Sequence, residues 1–172
     1  AARPTPTDGA HRCAEAHPEV DATRTAAMGP SFGGYMADWI AGHTDRFAAI
    51  VSHAGMWAME QFGGVTDMSL LWQRELTPAG MAANSPHAFA REITTPMLIT
   101  HGNLDYRVPI SEALQLWWAL MSESRAEHRF LYFPDESHWV TKPGNVKVWH
   151  ETVFAFLDQH VLGKDWVRPG HV

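Results

Sequence analysis

The sequence predicts an α/β domain built on parallel strands, and three observations carry that prediction. Short apolar runs rich in β-formers alternate with longer segments of helical period, the pattern of strands joined by crossover helices. A serine turn flanked by glycines joins the first such run to a helix, as a strand that feeds directly into a helix requires. The 172 residues, 45% hydrophobic and 11% aromatic, suffice for one domain, residues 1–172, with a core of its own.

In chain order, residues 10–17 have helical character and stop at Pro18, since proline cannot continue a helix. Residues 25–28 form a short strand running into Gly29-Pro30-Ser31-Phe32-Gly33-Gly34, and a helix follows over 33–41. Residues 47–53 read as a second buried strand, 97–101 as a third and 128–133 as a fourth. Leu114, Trp117, Trp118 and Met121 recur at i, i+3, i+4 and i+7, which predicts a helix from about residue 111 with that face on the sheet. The last helix spans 145–162, turns Val146, Trp149, Val153, Phe156, Leu157 and Val161 inward and stops at Gly163. Residues 57–95 follow neither period and contain Gly63, Gly64, Pro78, Gly80 and Pro86, so they are expected to form an excursion over one end of the sheet.

Composition excludes several classes. Thirteen basic residues against nineteen acidic ones, with the basic residues scattered, leave no surface to track a phosphate backbone, so no nucleic-acid partner is expected. No apolar stretch approaches the roughly 20 residues of a membrane helix, and no membrane partner is expected. One cysteine, Cys13, permits no intramolecular disulfide, which favours a reducing, cytoplasmic setting. The start, AARPTP, has neither basic nor apolar leader character, so no signal peptide is expected. No metal-ligand spacing is present, and no cofactor is expected.

The chemistry concentrates at strand ends. Gly29-Pro30-Ser31-Phe32-Gly33 matches the G-x-S-x-G turn that lifts a hydroxyl above a sheet. The following helix N-terminus offers N–H groups to a developing oxyanion. A nucleophilic serine needs a base and an orienting acid. Asp105 follows the third strand and His138 the fourth, so both fall at the carboxyl ends of strands, as Ser31 does. In that arrangement Ser31 attacks a carbonyl, His138 takes and returns its proton, and Asp105 holds the imidazole tautomer. The plainer reading makes Ser31 a helix N-cap. His53 and His101 are rival bases, and Asp135 and Glu136 rival acids; the latter two lie too close along the chain to reach the far ring nitrogen of His138 easily.

Four segments together resemble the prolyl oligopeptidase family, nearest its acylaminoacyl-peptidase and dipeptidyl-peptidase branch. They are Gly29-Pro-Ser-Phe-Gly-Gly-Tyr-Met36, His43-Thr-Asp-Arg-Phe-Ala-Ala-Ile-Val-Ser-His-Ala-Gly55, His101-Gly-Asn-Leu-Asp-Tyr-Arg-Val-Pro109 and Phe133-Pro-Asp-Glu-Ser-His-Trp-Val140. The resemblance covers residues 16–166. It implies the C-terminal half of an α/β-hydrolase catalytic domain, a serine hydrolase cleaving short peptides through an acyl-enzyme on Ser31, with Asp105 and His138 completing the triad. It further implies that the Phe32 N–H is an oxyanion donor and that Phe32, Trp57 and Val108 line an apolar substrate pocket. A carboxylesterase of the same fold, or an inactive fragment serving in assembly, remain alternatives.

Pro30 departs from the family's usual glycine. Only 30 residues precede Ser31, too few for the upstream strands and β-propeller that the family carries. The first strand is therefore expected to present an unpaired edge, calling for self-association or an upstream portion to complete the sheet.

Overall fold

The computed structural model describes residues 16–170. The chain runs β1 (Ala26–Pro30), α1 (Phe32–Ala41), β2 (Ala49–His53), three short helices α2 (Met59–Val65), α3 (Ser69–Glu75) and α4 (Pro78–Ala83), a 3-10 segment (Pro86–Glu92), β3 (Met97–Gly102), α5 (Ile110–Glu123), β4 (Arg129–Phe133) and α6 (Pro143–Leu162). The helix expected over 10–17 lies, but for its last two residues, outside the described residues.

Among the described residues the four strands form one sheet in the order β1-β2-β3-β4, every pair parallel. All residues of β2 and β3 are buried, which explains the apolar runs Ala49–Val51 and Met97–Ile99 that open them. Alternation then assigns faces. Ile50, Met97 and Ile99 join α1 and α5 residues such as Ile40, Leu116 and Leu120 on one side. Ala49, Val51, Leu98 and Leu131 meet Val153 and Phe156 of α6 on the other. The sheet is thus sandwiched between two helical layers.

β1 differs from its neighbours: Ala26, Met28 and Pro30 are exposed, and Met28 retains 57% of its accessible surface. Among the described residues this is the unpaired edge that the sequence predicts. Ser31 N–H bonds across to the carbonyl of His53 at 2.9 Å. By the alternation of a strand, the N–H direction one residue earlier points to the open edge. Pro30 therefore removes no rung from the ladder.

The excursion resolves into helical pieces. The N-terminus of α4 is capped by Thr77, whose hydroxyl accepts the Gly80 amide at 3.0 Å, with Pro78 at the first helical position. Met59 and Phe62 of α2 pack with Tyr35 of α1, Met56 and Val108, at the strand ends that carry Ser31 and Asp105. The last helix ends as expected, with Gly163 left-handed at φ 67°.

One face is corrected. Leu114, Trp118 and Met121 of α5 are 50%, 74% and 57% exposed, whereas Glu112, Ala113, Leu116 and Leu120 are buried and Trp117 packs partly against them. Ala113, Leu116, Trp117 and Leu120 share the spacing of the expected stripe one residue earlier along the helix. The sheet takes the stripe that begins with the small Ala113, which lets α5 approach β3 closely.

Candidate active site

Ser31 occupies the turn between β1 and α1 with φ 58° and ψ −119°. A side chain in that region is strained by about 1–3 kcal/mol, and the turn is held by the Ser31 N–H bond to His53. Ser31 stands at the N-cap position of α1, yet its hydroxyl makes no capping bond, so the plainer N-cap role is not the one the fold uses. Phe32 is the first residue of α1, where an amide has no acceptor within the helix. Its ring is 55% exposed and lies 5.1 Å from that of Tyr35.

Asp105 is 3% exposed. Its Oδ1 accepts the amides of Arg107 and Val108, each at 2.9 Å. Its Oδ2 accepts Nδ1–H of His138 at 2.8 Å, with His101 Nε2 at 3.4 Å. Burial alone pushes this carboxyl up, but hydrogen bonds from His101, His138 and Val108 outweigh it and hold Asp105 well below the usual carboxylate range. An ionised acid bonded to Nδ1 leaves Nε2 as the basic nitrogen of His138, the tautomer that a general base requires.

The acid and base loops are joined by two backbone bonds, Asn103 N–H to Phe133 O at 2.8 Å and Leu104 N–H to Glu136 O at 2.9 Å. The structure therefore brings Asp105 and His138 into direct contact. Ser31 is not hydrogen-bonded to His138 and is linked to the base loop through His53 instead. Nucleophile–base bonds are commonly long before substrate binds.

The rivals have other partners. His101 is fully buried and its Nε2 bonds the Val108 carbonyl at 2.7 Å. Glu136 accepts the amides of Thr141 and Lys142 and the Asn145 side chain, which pins the base loop to the start of α6. Asp135 pairs with Lys142 at 2.5 Å and Asn145 at 3.0 Å. Among the described residues no group of three or more His, Cys, Asp or Glu is placed to hold a metal. No helix among them is long and apolar enough to cross a membrane.

Trp57 and Val108, expected to line a pocket beside the serine, are each 2% exposed. Trp57 lies in the core with Ile40, Ala90, Ala113 and Leu116. Its amide and that of Ala58 are held by the buried Glu112 carboxylate at 2.9 and 2.7 Å, which fixes the loop with the indole inward. Val108 packs with Tyr35, Met56 and Phe62. Of the three expected pocket residues, Phe32 is the one that is broadly exposed. Sequence reasoning missed Glu112 and Glu136 as loop clamps: a carboxylate that serves backbone amides carries no signature in its spacing.

Comparison with known proteins adds three findings. The family model described as the prolyl oligopeptidase family matches residues 7–164. Dipeptidyl-peptidase 5 of Porphyromonas gingivalis is 36% identical over 153 residues, 83% of this chain and 22% of its own length. That of Aspergillus oryzae is 35% identical over 156 residues, 82% and 21% respectively. The chain thus spans about a fifth of the length of the curated relatives it matches. Among solved structures, uncomplexed acylaminoacyl peptidase of Pyrococcus horikoshii superposes with a TM-score of 0.84 over 90% of this chain and 27% of its own, at 22% identity, a likeness of fold. A puromycin-hydrolyzing peptidase of Mycobacterium tuberculosis gives 0.81 over 88% and 24%, at 25% identity.

Proposed function

The chain belongs to the prolyl oligopeptidase family, and on that premise we propose that it is the C-terminal part of the catalytic domain of a serine peptidase acting on short peptides. The carrying observation is the Asp105–His138 hydrogen bond beside a strained serine turn. In this reading Ser31 Oγ attacks the scissile carbonyl while its proton passes to His138 Nε2. The tetrahedral oxyanion is met by the Phe32 amide. Collapse breaks the C–N bond, and the proton goes from His138 to the departing amine. Water then repeats the sequence and frees Ser31. Asp105 stabilises the imidazolium in both halves. The exposed Phe32 ring supports an apolar residue, proline included, before the scissile bond.

The open β1 edge supports a further element of the reading: an upstream portion or a second copy of the chain completes the sheet. A cavity of about 300 Å³ beside that edge, bounded by Met28, Pro30, Trp139 and Trp149, supports it too. The single cysteine supports a cytoplasmic setting.

The test is intact-mass analysis after exposure to a fluorophosphonate, with Ser31→Ala as control. One adduct, absent from the control, is expected. No adduct on a chain shown by circular dichroism to be folded overturns the reading for this chain. Turnover of a short acyl ester with none of any peptide anilide would shift it to a carboxylesterase.

A further inference from the structure

Resting on the hydrolase reading, we infer that His53 is a positioning residue that sets the base loop against the nucleophile turn, its carbonyl holding the Ser31 amide and its ring holding the His138 carbonyl. The two bonds measure 2.9 and 3.2 Å. They run from one residue to the two segments whose relative placement decides whether Ser31 and His138 can meet.

Proton inventory fixes the state of the ring. A backbone carbonyl only accepts, so His53 Nε2, facing His138 O, carries the proton. Nδ1 is then a lone pair, and Thr100 Oγ1 at 2.7 Å donates to it. With its own proton so engaged, Thr100 Oγ1 accepts Nε1–H of Trp149 at 3.1 Å. An indole N–H only donates. The relay therefore begins at an obligatory donor on α6, ends at an obligatory acceptor beside the base, and reads in one direction only: Trp149 to Thr100 to His53 to His138.

The surroundings keep this arrangement closed. Thr100 is fully buried and His53 is 5% exposed. Trp139 lies nearly parallel to the His53 ring at 6.4 Å between centroids, and Trp149 meets it edge-on at 6.1 Å. Burial, the largest influence, lowers the His53 pKa to about 4, so the neutral tautomer persists across the range in which a hydrolase works. A charged imidazole would put a second N–H where Thr100 donates. The relay also ties α6 to the base loop, which Glu136 pins independently from the other side.

The test compares the full chain with His53→Leu and His53→Gln. Leucine removes both ring partners, while the glutamine amide offers the same donor and acceptor pair. Two readouts are followed. One is the downfield proton resonance of His138 Nδ1–H on Asp105, and the other is the rate of fluorophosphonate labelling at Ser31 at pH 8. The expected result is loss or displacement of the resonance and at least about tenfold slower labelling in His53→Leu, both restored in His53→Gln. A folded His53→Leu with the resonance and rate of the parent overturns the inference, as does a folded His53→Gln that restores neither. If the parent chain itself fails to label, the hydrolase reading fails, and the resonance alone decides the role of His53. If His53→Leu does not fold, Thr100→Val, which removes the donor to Nδ1, decides on the same two readouts.

Discussion

Gly29 and Gly33 touch backbone to backbone across the nucleophile turn: a Cβ on Gly29 would overlap the Gly33 carbonyl and lie 2.7 Å from its Cα. Since backbone cannot swing aside as a side chain can, Gly29→Ala must displace the start of α1. We expect it to destabilise the chain by about 1–3 kcal/mol and to abolish labelling of Ser31. Urea denaturation with a labelling assay checks this, and a variant that labels at the parent rate would refute it.

Glu112 separates two roles by substitution. Glu112→Ala leaves the Trp57 and Ala58 amides buried without an acceptor, and each such group costs about 1–3 kcal/mol. Glu112→Gln keeps an acceptor oxygen and should lose much less. The difference in chemical-denaturation midpoint between the two variants measures the clamp, and equal midpoints would show that the amides find other partners.

Asp38 of α1 is 1% exposed, with the Ser52 hydroxyl beside its carboxyl. Burial pushes its pKa well up, the Ser52 hydroxyl pulls the other way, and the nearby Glu112 adds to the rise. An acid whose folded value lies above its unfolded one supports the fold at low pH, and that support is lost as pH rises from the unfolded value toward the folded one. Asp38→Asn carries no such charge. Its advantage in melting temperature over the parent should therefore grow from pH 5 to pH 8, and a constant difference would count against a buried neutral carboxyl.

His53 and Asp105 act in the acid range with a common sign. His53 titrates near 4 in the folded chain against an ordinary 6.5. Between those values the unfolded chain takes a proton that the folded ring refuses, so stability falls as pH drops from 6.5 to 4, by about 3 kcal/mol at most. Asp105, held low, adds a further loss below about pH 4. In His53→Gln the first decline should shrink but not vanish, because burial lowers His128 to about 4 as well, while the second stays, as melting temperatures between pH 3 and 7 will show.

Met28 tests the open edge. If two copies pair along β1, Met28→Lys should move the chain toward monomer in sedimentation velocity with little change in melting temperature, because the side chain is already largely exposed. A parent chain that is monomeric at all concentrations would leave an upstream portion as the occupant of that edge.

The strands were readable because two of them are buried on both faces, which forces apolar runs such as Met97–Ile99. The edge strand was readable too, from the glycine turn that ends it. That Asp105 and His138 meet was legible because parallel topology delivers every strand's carboxyl end to the same side of the sheet. The buried face of α5 was not. Two stripes of equal period compete there, and only the fit of Ala113 against the sheet separates them. The setting of Trp57 was hidden for a related reason: a loop residue's direction depends on which distant carboxylate captures its amide, here Glu112 from 55 residues away. His53 was visible as a histidine at a strand end, but its role runs through its own carbonyl and that of His138, and backbone partners are invisible to residue type.

The strand order repeats the chain order without exception among the described residues, so every strand docks on the one made just before it. As the chain emerges from the ribosome, the β1–β2 pair can shape the serine turn before the acid exists, and β3 then brings Asp105. The partner of that carboxylate arrives only with β4 and the loop beyond it. A nascent chain of this design shapes its serine turn early and receives the Asp105–His138 pair only after β4, so in the proposed mechanism it stays chemically silent until that last strand has docked.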